Sequence, residues 1–371
     1  MNSALVPTDS GLDTPRGNMR SGLSKKQKQR LIVSLTTALA VLALWSGPAP
    51  LHAPRGAPRI NVLERVTLGG VKQWISIRGY DKGNPVLLFL HGGPGSANLA
   101  KLRLQCSELE KHFVVVTWDQ RGAGKSQAAF DPGALTVERF VSDTHELILM
   151  LKQRLGVERV YLMGFSWGTV PGLLVAARYP EDLYAYVGAG QIVNYAEGER
   201  QSLAYVQATA RERQDTEGQQ ALSAIDPAYN TGDWYKRLTI QRTWLLKYGG
   251  VYQTADSYNH EALMLLRAPE YSLVDFALWP GASARSLKTF WPALMRLDLA
   301  KMVPEVQVPA YFFSGCYDWN SPYPLVEAYY TQLRAPAGKE LVWFEDAAHD
   351  VFFDQPGAIV ETMLRIRKVY D

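Results

Sequence analysis

Gly164-Phe165-Ser166-Trp167-Gly168 follows directly on the apolar run Val160-Tyr161-Leu162-Met163, and residues 167–178 have the pattern of a helix. The pentapeptide therefore falls on a strand-to-helix turn. A serine on such a tight turn is held in strained backbone geometry that exposes its hydroxyl above the sheet. Both flanking glycines should be required, because a side chain there would collide with the neighbouring strand and helix. Alone, the motif fits a turn without catalytic function equally well, so the assignment of a catalytic serine depends on the rest of the sequence.

Two later segments supply the partners that a serine nucleophile needs. The apolar run Ala310-Tyr311-Phe312-Phe313-Ser314 leads to Asp318, and the run Leu341-Val342-Trp343-Phe344 leads to His349. An imidazole takes the serine proton near neutral pH, while a carboxylate fixes its tautomer and stabilises the imidazolium. The order Ser166, Asp318, His349, each just past a strand, is that of a catalytic triad in an α/β-hydrolase fold.

An oxyanion hole is predicted from two backbone N–H groups. The continuous apolar run Pro85-Val86-Leu87-Leu88-Phe89-Leu90 is typical of a buried parallel strand, and it ends in His91-Gly92-Gly93-Pro94-Gly95. Glycine leaves room for a backbone N–H to approach a substrate carbonyl, which we assign to Gly93. The second donor is the N–H of Trp167, the residue after the nucleophile.

Three segments together resemble the signatures of the proline iminopeptidases, which are serine aminopeptidases of the α/β-hydrolase fold. They are His91-Gly92-Gly93-Pro94-Gly95, Trp118-Asp119-Gln120-Arg121-Gly122-Ala123-Gly124-Lys125-Ser126 and the pentapeptide around Ser166. The resemblance extends from about Asn61 to the C-terminus. It implies a Ser/Asp/His triad, an oxyanion hole from Gly93 and Trp167, and a helical cap over the active site. The second segment ends like a phosphate-binding loop, but the first glycine of such a loop falls on Asp119, so nucleotide binding is rejected.

The resemblance also implies acidic cap residues that bind the free amine of a peptide substrate. Four glutamates lie in the corresponding region, and no single one of them aligns with the family pattern: Glu197, Glu199, Glu212 and Glu217. The chain departs from the family at the turn itself, where it has Phe165 and Thr169. We expect Phe165 to pack against the core or the cap, and Pro171 to bend the following helix.

Composition agrees with a large hydrolase and excludes other classes. The chain has 371 residues, of which 47% are hydrophobic and 20% charged, and its formal net charge is +3. No basic stripe indicates a nucleic-acid partner. The cysteines, Cys106 and Cys316, cannot build a disulfide framework, and no Cys/His cluster indicates a metal. We therefore expect no metal and no other cofactor. The sequence leaves the oligomeric state open.

The order of apolar runs predicts a mostly parallel sheet with helices on both faces, interrupted by an insertion. Gly69-Gly70 between residues 62–68 and 71–77 indicates a hairpin of two antiparallel edge strands. Predicted strands at residues 86–90, 114–117 and 183–187 alternate with predicted helices near residues 99–111 and at Val137–Leu155. The predicted domains are a hydrolase core at residues 61–190 and 300–371, and a helical cap at residues 191–299, inserted before the strand that carries the acid. We expect most cap aromatics to pack between helices and a few to line an apolar pocket.

The first sixty residues carry a separate prediction. Residues 1–30 are a polar, basic tail, residues 31–50 an apolar membrane anchor or signal segment, and residues 51–60 a linker rich in proline and arginine. The basic residues before the apolar segment favour a cytoplasmic N-terminus and an uncleaved anchor, with the catalytic domain extracytoplasmic. The alternative is a cleaved signal and a secreted or periplasmic enzyme.

The sequence therefore predicts a serine hydrolase that acts through an acyl-enzyme on a small-molecule or short-peptide substrate. By resemblance, the enzyme is an aminopeptidase that releases N-terminal proline or small apolar residues. A carboxylesterase or lipase with the same residues is the first alternative. A ligand-binding protein without turnover is the second, and the complete triad argues against it. Epoxide hydrolase and dehalogenase chemistry is disfavoured because the turn carries Ser166 instead of an aspartate.

Overall fold

A β-hairpin forms one edge of the sheet in the computed structural model, which describes residues 59–230 and 232–370. Its strands, β1 (Ile60–Leu68) and β2 (Val71–Gly79), pair antiparallel with Leu68 opposite Val71. The two turn glycines have φ of 54° and 78°, the positive values that a two-residue hairpin turn requires. The predicted hairpin is confirmed.

The sheet has eight strands in the order β1-β2-β4-β3-β5-β6-β7-β8. The remaining strands are β3 (Val86–Leu90), β4 (Val114–Asp119), β5 (Val160–Phe165), β6 (Leu183–Ala189), β7 (Ala310–Gly315) and β8 (Lys339–Phe344). From β4 to β8 every neighbouring pair is parallel, while β2 pairs antiparallel with β4. The carboxyl ends of the parallel strands therefore meet at one edge, where the predicted site residues follow them. The prediction of a mostly parallel sheet is confirmed.

Both faces of the sheet are buried, which explains why its central strands read as unbroken apolar runs. Along β3, Leu88 and Leu90 belong to one hydrophobic cluster, while Leu87 and Phe89 belong to a second. Successive side chains of a strand point to opposite faces, so the two clusters lie on opposite sides of the sheet.

Helices connect the strands of the core, and two more follow the last strand. They are α1 (Lys101–Gln105), α2 (Val137–Leu155), α3 (Thr169–Arg178), α10 (Tyr323–Gln332), α11 (Val351–Asp354) and α12 (Pro356–Arg367). The helix predicted near residues 99–111 is divided in two, because Cys106 has φ −129° and ψ 44° and separates α1 from a 3₁₀ turn. The reason for predicting a bend at Pro171 does not apply. Pro171 lies in the first turn of α3, where a backbone N–H has no partner within the helix, so proline removes no helical hydrogen bond there.

The segment between β6 and β7 is helical. In the part of the chain that the structure describes, it holds six α-helices: α4 (Tyr195–Glu212), α5 (Thr216–Leu222), α6 (Trp234–Lys247), α7 (Asn259–Arg267), α8 (Leu273–Leu294) and α9 (Leu299–Met302). We refer to this insertion as the cap. Two of its tryptophans pack between helices as expected, since Trp234 stacks on Trp291 with ring centroids 4.4 Å apart.

The start of α8 is fixed to the core by polar contacts. The hydroxyl of Tyr271 donates to the Asp119 carboxylate at 2.9 Å, and Arg103 forms a bidentate ion pair with Glu270 at 2.6 and 2.7 Å. Lys125 pairs with Asp275 at 2.7 Å. This side of the cap is therefore attached to the loops that follow β3 and β4.

The predictions for the tail, the anchor or signal segment and nearly all of the linker fall on residues 1–58, outside the described residues. Within residues 59–230 and 232–370, no helix combines the length and the apolar character needed to cross a bilayer. The predicted topology stays a prediction.

Candidate active site

Ser166 lies on a strained turn between β5 and α3. Its φ is 51°, in the left-handed region, which costs a residue other than glycine roughly 1–2 kcal/mol. A Cβ on Gly164 would lie 2.5 Å from the carbonyl oxygen of Gly168, and a Cβ on Gly168 would lie 2.1 Å from that of Leu90. The flanking glycines are required by these contacts with the turn and with β3, as the sequence predicts.

Asp318 and His349 are brought together from the loops that follow β7 and β8. His349 Nδ1 is 2.9 Å from Asp318 Oδ2, and the carboxylate is fully buried. The other carboxylate oxygen accepts the backbone N–H groups of Asn320 and Ser321 at 2.9 and 2.8 Å. These bonds hold the carboxylate so that Nδ1–H donates to it, which leaves Nε2 as the proton acceptor of the ring. His349 and Ser166 line the same cavity.

The imidazole of His349 is confined by its neighbours. The ring of Phe165 is tilted against it at a centroid distance of 5.1 Å, so Phe165 belongs to the core, as expected, and also contacts the proposed base. On another side, a Cβ on Gly190 would lie 2.8 Å from Cε1 of the imidazole and 2.9 Å from Nδ1. Gly190 is thus the residue that leaves room for the ring.

Gly190→Ala should lower turnover about 100-fold, because displacing a reacting group by roughly 1 Å has an effect of that size. Gly190 has φ 57°, so alanine also introduces backbone strain. Gly156→Ala is the matched control: its φ is 68°, but a Cβ there meets nothing within 4 Å. Steady-state kinetics and thermal unfolding of both variants separate the two effects. Normal turnover of Gly190→Ala would show that the ring position is not critical.

His91 orients one predicted oxyanion donor. It is fully buried, and burial lowers its pKa to about 4, so the ring is neutral at pH 7. Nε2 accepts the N–H of Gln120 at 2.9 Å, and Nδ1–H donates to the carbonyl oxygen of Gly92 at 2.6 Å. That oxygen and the Gly93 N–H belong to one planar peptide unit and point in opposite directions. Turning the carbonyl toward His91 therefore turns the N–H of Gly93 away from it, and both glycines line the cavity.

Gln120 connects this loop to the turn that carries Ser166. Its side-chain nitrogen donates to the carbonyl oxygen of His91 at 3.2 Å, and its side-chain oxygen accepts Nε1–H of Trp167 at 3.0 Å. Trp167 is the second residue of a helical turn, and the first N–H groups of such a turn have no partner within it. Gln120 thus holds both predicted oxyanion donors in one network. Sequence reasoning gave it no role, although it lies in the segment Trp118 to Ser126.

The cavity over Ser166 encloses about 330 Å³ between core and cap. A few cap aromatics line it, as expected, and they are tyrosines; polar and charged side chains stand among the apolar residues of the wall. The cap residues with polar side chains on its wall include Tyr195, Glu199, Tyr235, Thr239, Arg242, Tyr252, Tyr258 and Glu261. A lining of this kind suits a small ligand that carries charge.

Only one of the four predicted glutamates reaches the cavity. Glu212 and Glu217 are exposed and lie outside its wall, and Glu197, also outside it, pairs with Arg200 on the surface. The structure therefore brings only Glu199 of the four to the cavity over Ser166, and it places the other three outside the wall. Glu199 is buried and lines the cavity, but it forms a bidentate ion pair with Arg242 at 2.5 and 3.0 Å.

Glu261 is the cavity carboxylate that sequence reasoning missed. It is half-buried on α7 and accepts the hydroxyl of Tyr252 at 2.7 Å. Burial and the negative charge of Glu261 raise the pKa of Tyr252, so the phenol remains a donor. Within the described residues Glu261 has no ion-pair partner. No motif surrounds Glu261, and only its position in the folded cap sets it apart from the other glutamates.

The fold and the sequence place the chain in a family. A model of the α/β-hydrolase fold family matches residues 85–356, so the chain belongs to that family. It is 29% identical over 310 residues to the probable aminopeptidase YbaC of Bacillus subtilis (strain 168), and the matched region covers 82% of this chain and 96% of that protein. It is 25% identical over 295 residues to a proline iminopeptidase of Heyndrickxia coagulans, with coverage of 76% and 91%.

A solved structure agrees with this assignment at the level of the fold. The crystal structure of a proline iminopeptidase-related protein from Thermus thermophilus matches with a TM-score of 0.58 and 24% identity, covering 82% of this chain and 96% of that one. The resemblance to proline iminopeptidases read from the sequence is confirmed. In the described residues, no group of three His, Cys, Asp or Glu side chains is placed to hold a metal ion.

Proposed function

We propose that the chain is a serine hydrolase that acts through an acyl-enzyme, and that it is an aminopeptidase for short peptides with N-terminal proline or another small apolar residue. The observation that carries this proposal is the contact of His349 Nδ1 with the buried Asp318 carboxylate at 2.9 Å, beside a serine at φ 51° in the same cavity. The aminopeptidase names of its relatives support the substrate class.

The proposed reaction has two halves. Ser166 Oγ attacks the carbonyl carbon while His349 Nε2 takes the hydroxyl proton, and Asp318 stabilises the imidazolium. The N–H groups of Gly93 and Trp167 donate to the oxyanion of the tetrahedral intermediate. Collapse breaks the C–N bond, and the imidazolium gives its proton to the leaving amine. Water then hydrolyses the acyl-enzyme with the same base, releasing the N-terminal residue and restoring the serine.

An aminopeptidase must also bind the substrate's free ammonium group. Moving an ammonium group from water into a cavity is costly unless an anion pairs with it. Glu199 is already neutralised by Arg242, whereas Glu261 lines the cavity and, among the described residues, accepts a hydrogen bond only from the Tyr252 hydroxyl. We therefore assign the recognition of the substrate amine to Glu261.

Glu261→Gln should raise KM for prolyl arylamides about 10- to 100-fold, the loss expected for a hydrogen bond between charged groups. Short-chain aryl esters without an amine should change by less than about threefold. Kinetics on matched free and N-acetylated arylamides measure the difference, and Glu217→Gln, at an exposed position outside the cavity, is the control. If N-acetylated substrates turn over as fast as free ones, and Glu261→Gln does not separate the two classes, the amine assignment fails. The esterase alternative would then be preferred.

A further inference from the structure

One stretch of the cap contacts both the loop of the proposed acid and the loop of the proposed base. The carbonyl oxygen of Gly250 accepts the N–H of Trp319 at 3.1 Å, and that of Val251 accepts the N–H of Asp350 at 3.2 Å. Trp319 directly follows Asp318, and Asp350 directly follows His349. Two consecutive carbonyl groups of the cap therefore bind the residues next to the acid and next to the base.

The base loop is also held on its other side. The Asp354 carboxylate accepts the N–H of Ala348, the residue before His349, at 2.9 Å. The same carboxylate accepts the N–H of Gln253 at 3.1 Å and the hydroxyl of Thr254 at 3.0 Å. Residues 250–254, which we call the bridging segment, thus reach both residues that flank His349.

Residues 250–252 of the bridging segment are buried, while Gln253 and Thr254 are exposed and bind Asp354 at the surface. Val251 and Tyr252 are 3% and 2% exposed, and a Cβ on Gly250 would lie 2.4 Å from Leu245 Cδ1 and 3.2 Å from Trp319 Cβ. The ring of Trp319 in turn stacks on Tyr205 of α4 with centroids 4.7 Å apart. Because residues 250–252 have little free space around them, their position is transmitted to the loops that they bind.

We propose that the bridging segment positions Asp318 and His349 relative to each other, so that part of the cap belongs to the catalytic machinery through its backbone. The inference rests on the proposed function. Tyr252, in the middle of the segment, donates to Glu261, so the same stretch also orients the carboxylate assigned to the substrate amine.

Asp354 is the side chain through which this arrangement is tested. In the full-length protein, Asp354→Ala should lower kcat about 10- to 100-fold because the reacting groups are displaced. KM for an aryl ester without an amine should stay within about threefold, because such a substrate does not use Glu261. The rate at which a fluorophosphonate labels Ser166 should fall by the same factor. Asp354→Asn keeps one acceptor oxygen in place of two, so it can bind either Ala348 or Thr254 and should recover only part of the loss. Glu361→Ala removes an exposed carboxylate of the next helix and is the matched control.

Hydrogen exchange of the unmodified protein tests the attachment directly. The amides of Trp319 and Asp350 should exchange as slowly as those of β7 and open together, because they bind consecutive carbonyls. Both should lose protection in Asp354→Ala. The proposal is overturned if the two amides exchange as fast as surface amides, or if Asp354→Ala loses thermal stability but keeps the labelling rate and kcat of the unmodified protein. A failure of the unmodified protein to react with the fluorophosphonate would instead refute the proposed function, and exchange would still decide whether the segment is attached.

Discussion

Ser166→Ala should abolish covalent labelling by a fluorophosphonate and lower turnover about 10⁶-fold, the loss seen when a triad serine is removed. Thermal unfolding should change little. Ser166 is 9% exposed at the wall of the cavity, and alanine meets the same backbone strain at φ 51° as serine does. The hydroxyl therefore contributes chemistry and little packing.

The matched control for this variant is Ser314→Ala. Ser314 is a serine at the end of β7, 1% exposed and outside the wall of the cavity. Its loss should leave labelling intact. Mass spectrometry of the labelled protein identifies the modified residue. Labelling that persists in Ser166→Ala would remove this serine from the mechanism and with it the acyl-enzyme proposal.

Asp318→Asn should lower turnover about 10⁴-fold, because an amide in place of the carboxylate favours the wrong imidazole tautomer and no longer stabilises the imidazolium. His349→Ala should have an effect of at least this size. Since the triad acts as a unit, the double variant should be little slower than the slower single variant. The measurement is kcat on the best arylamide or ester substrate.

The neighbouring aspartates provide the comparison for Asp318. Asp346 is exposed, so Asp346→Asn should keep normal turnover. Asp350 is buried, but it is already paired with the buried Lys101 at 2.5 Å, and this leaves it poorly placed to serve His349. Near-normal activity of Asp318→Asn would assign the orienting carboxylate elsewhere and contradict the geometry at His349.

Local sequence was sufficient to predict the parts of the fold whose cause is local. The glycines at positions 164 and 168 are required by backbone contacts within the turn and with the adjacent strand. The pentapeptide alone is therefore enough to predict their role. The hairpin at Gly69-Gly70 follows from a two-residue turn with positive φ. The location of the acid and the base follows from the rule that active-site loops lie at the carboxyl ends of parallel strands.

The cap could not be predicted to the same depth, because its glutamates are distinguished only by tertiary contacts. Glu197 and Glu199 are two positions apart on α4, yet one pairs on the surface and the other is buried beside Arg242. Glu261 comes from a different helix and has no motif. The break at Cys106 and the harmless placement of Pro171 likewise depend on where a helix begins and ends, and an apolar pattern defines such boundaries poorly.

The hydrogen bonds from Trp319 and Asp350 to residues 250 and 251 have a consequence for redesign. Replacing the cap by that of a relative is one way to change the substrate specificity of such a protein. In this chain, a chimera joined at the ends of β6 and β7 would replace the backbone that holds the acid and base loops, and so would lose rate together with its original selectivity. Libraries confined to α7, which carries Glu261 and leaves residues 250–254 in place, would vary recognition while keeping the chemistry.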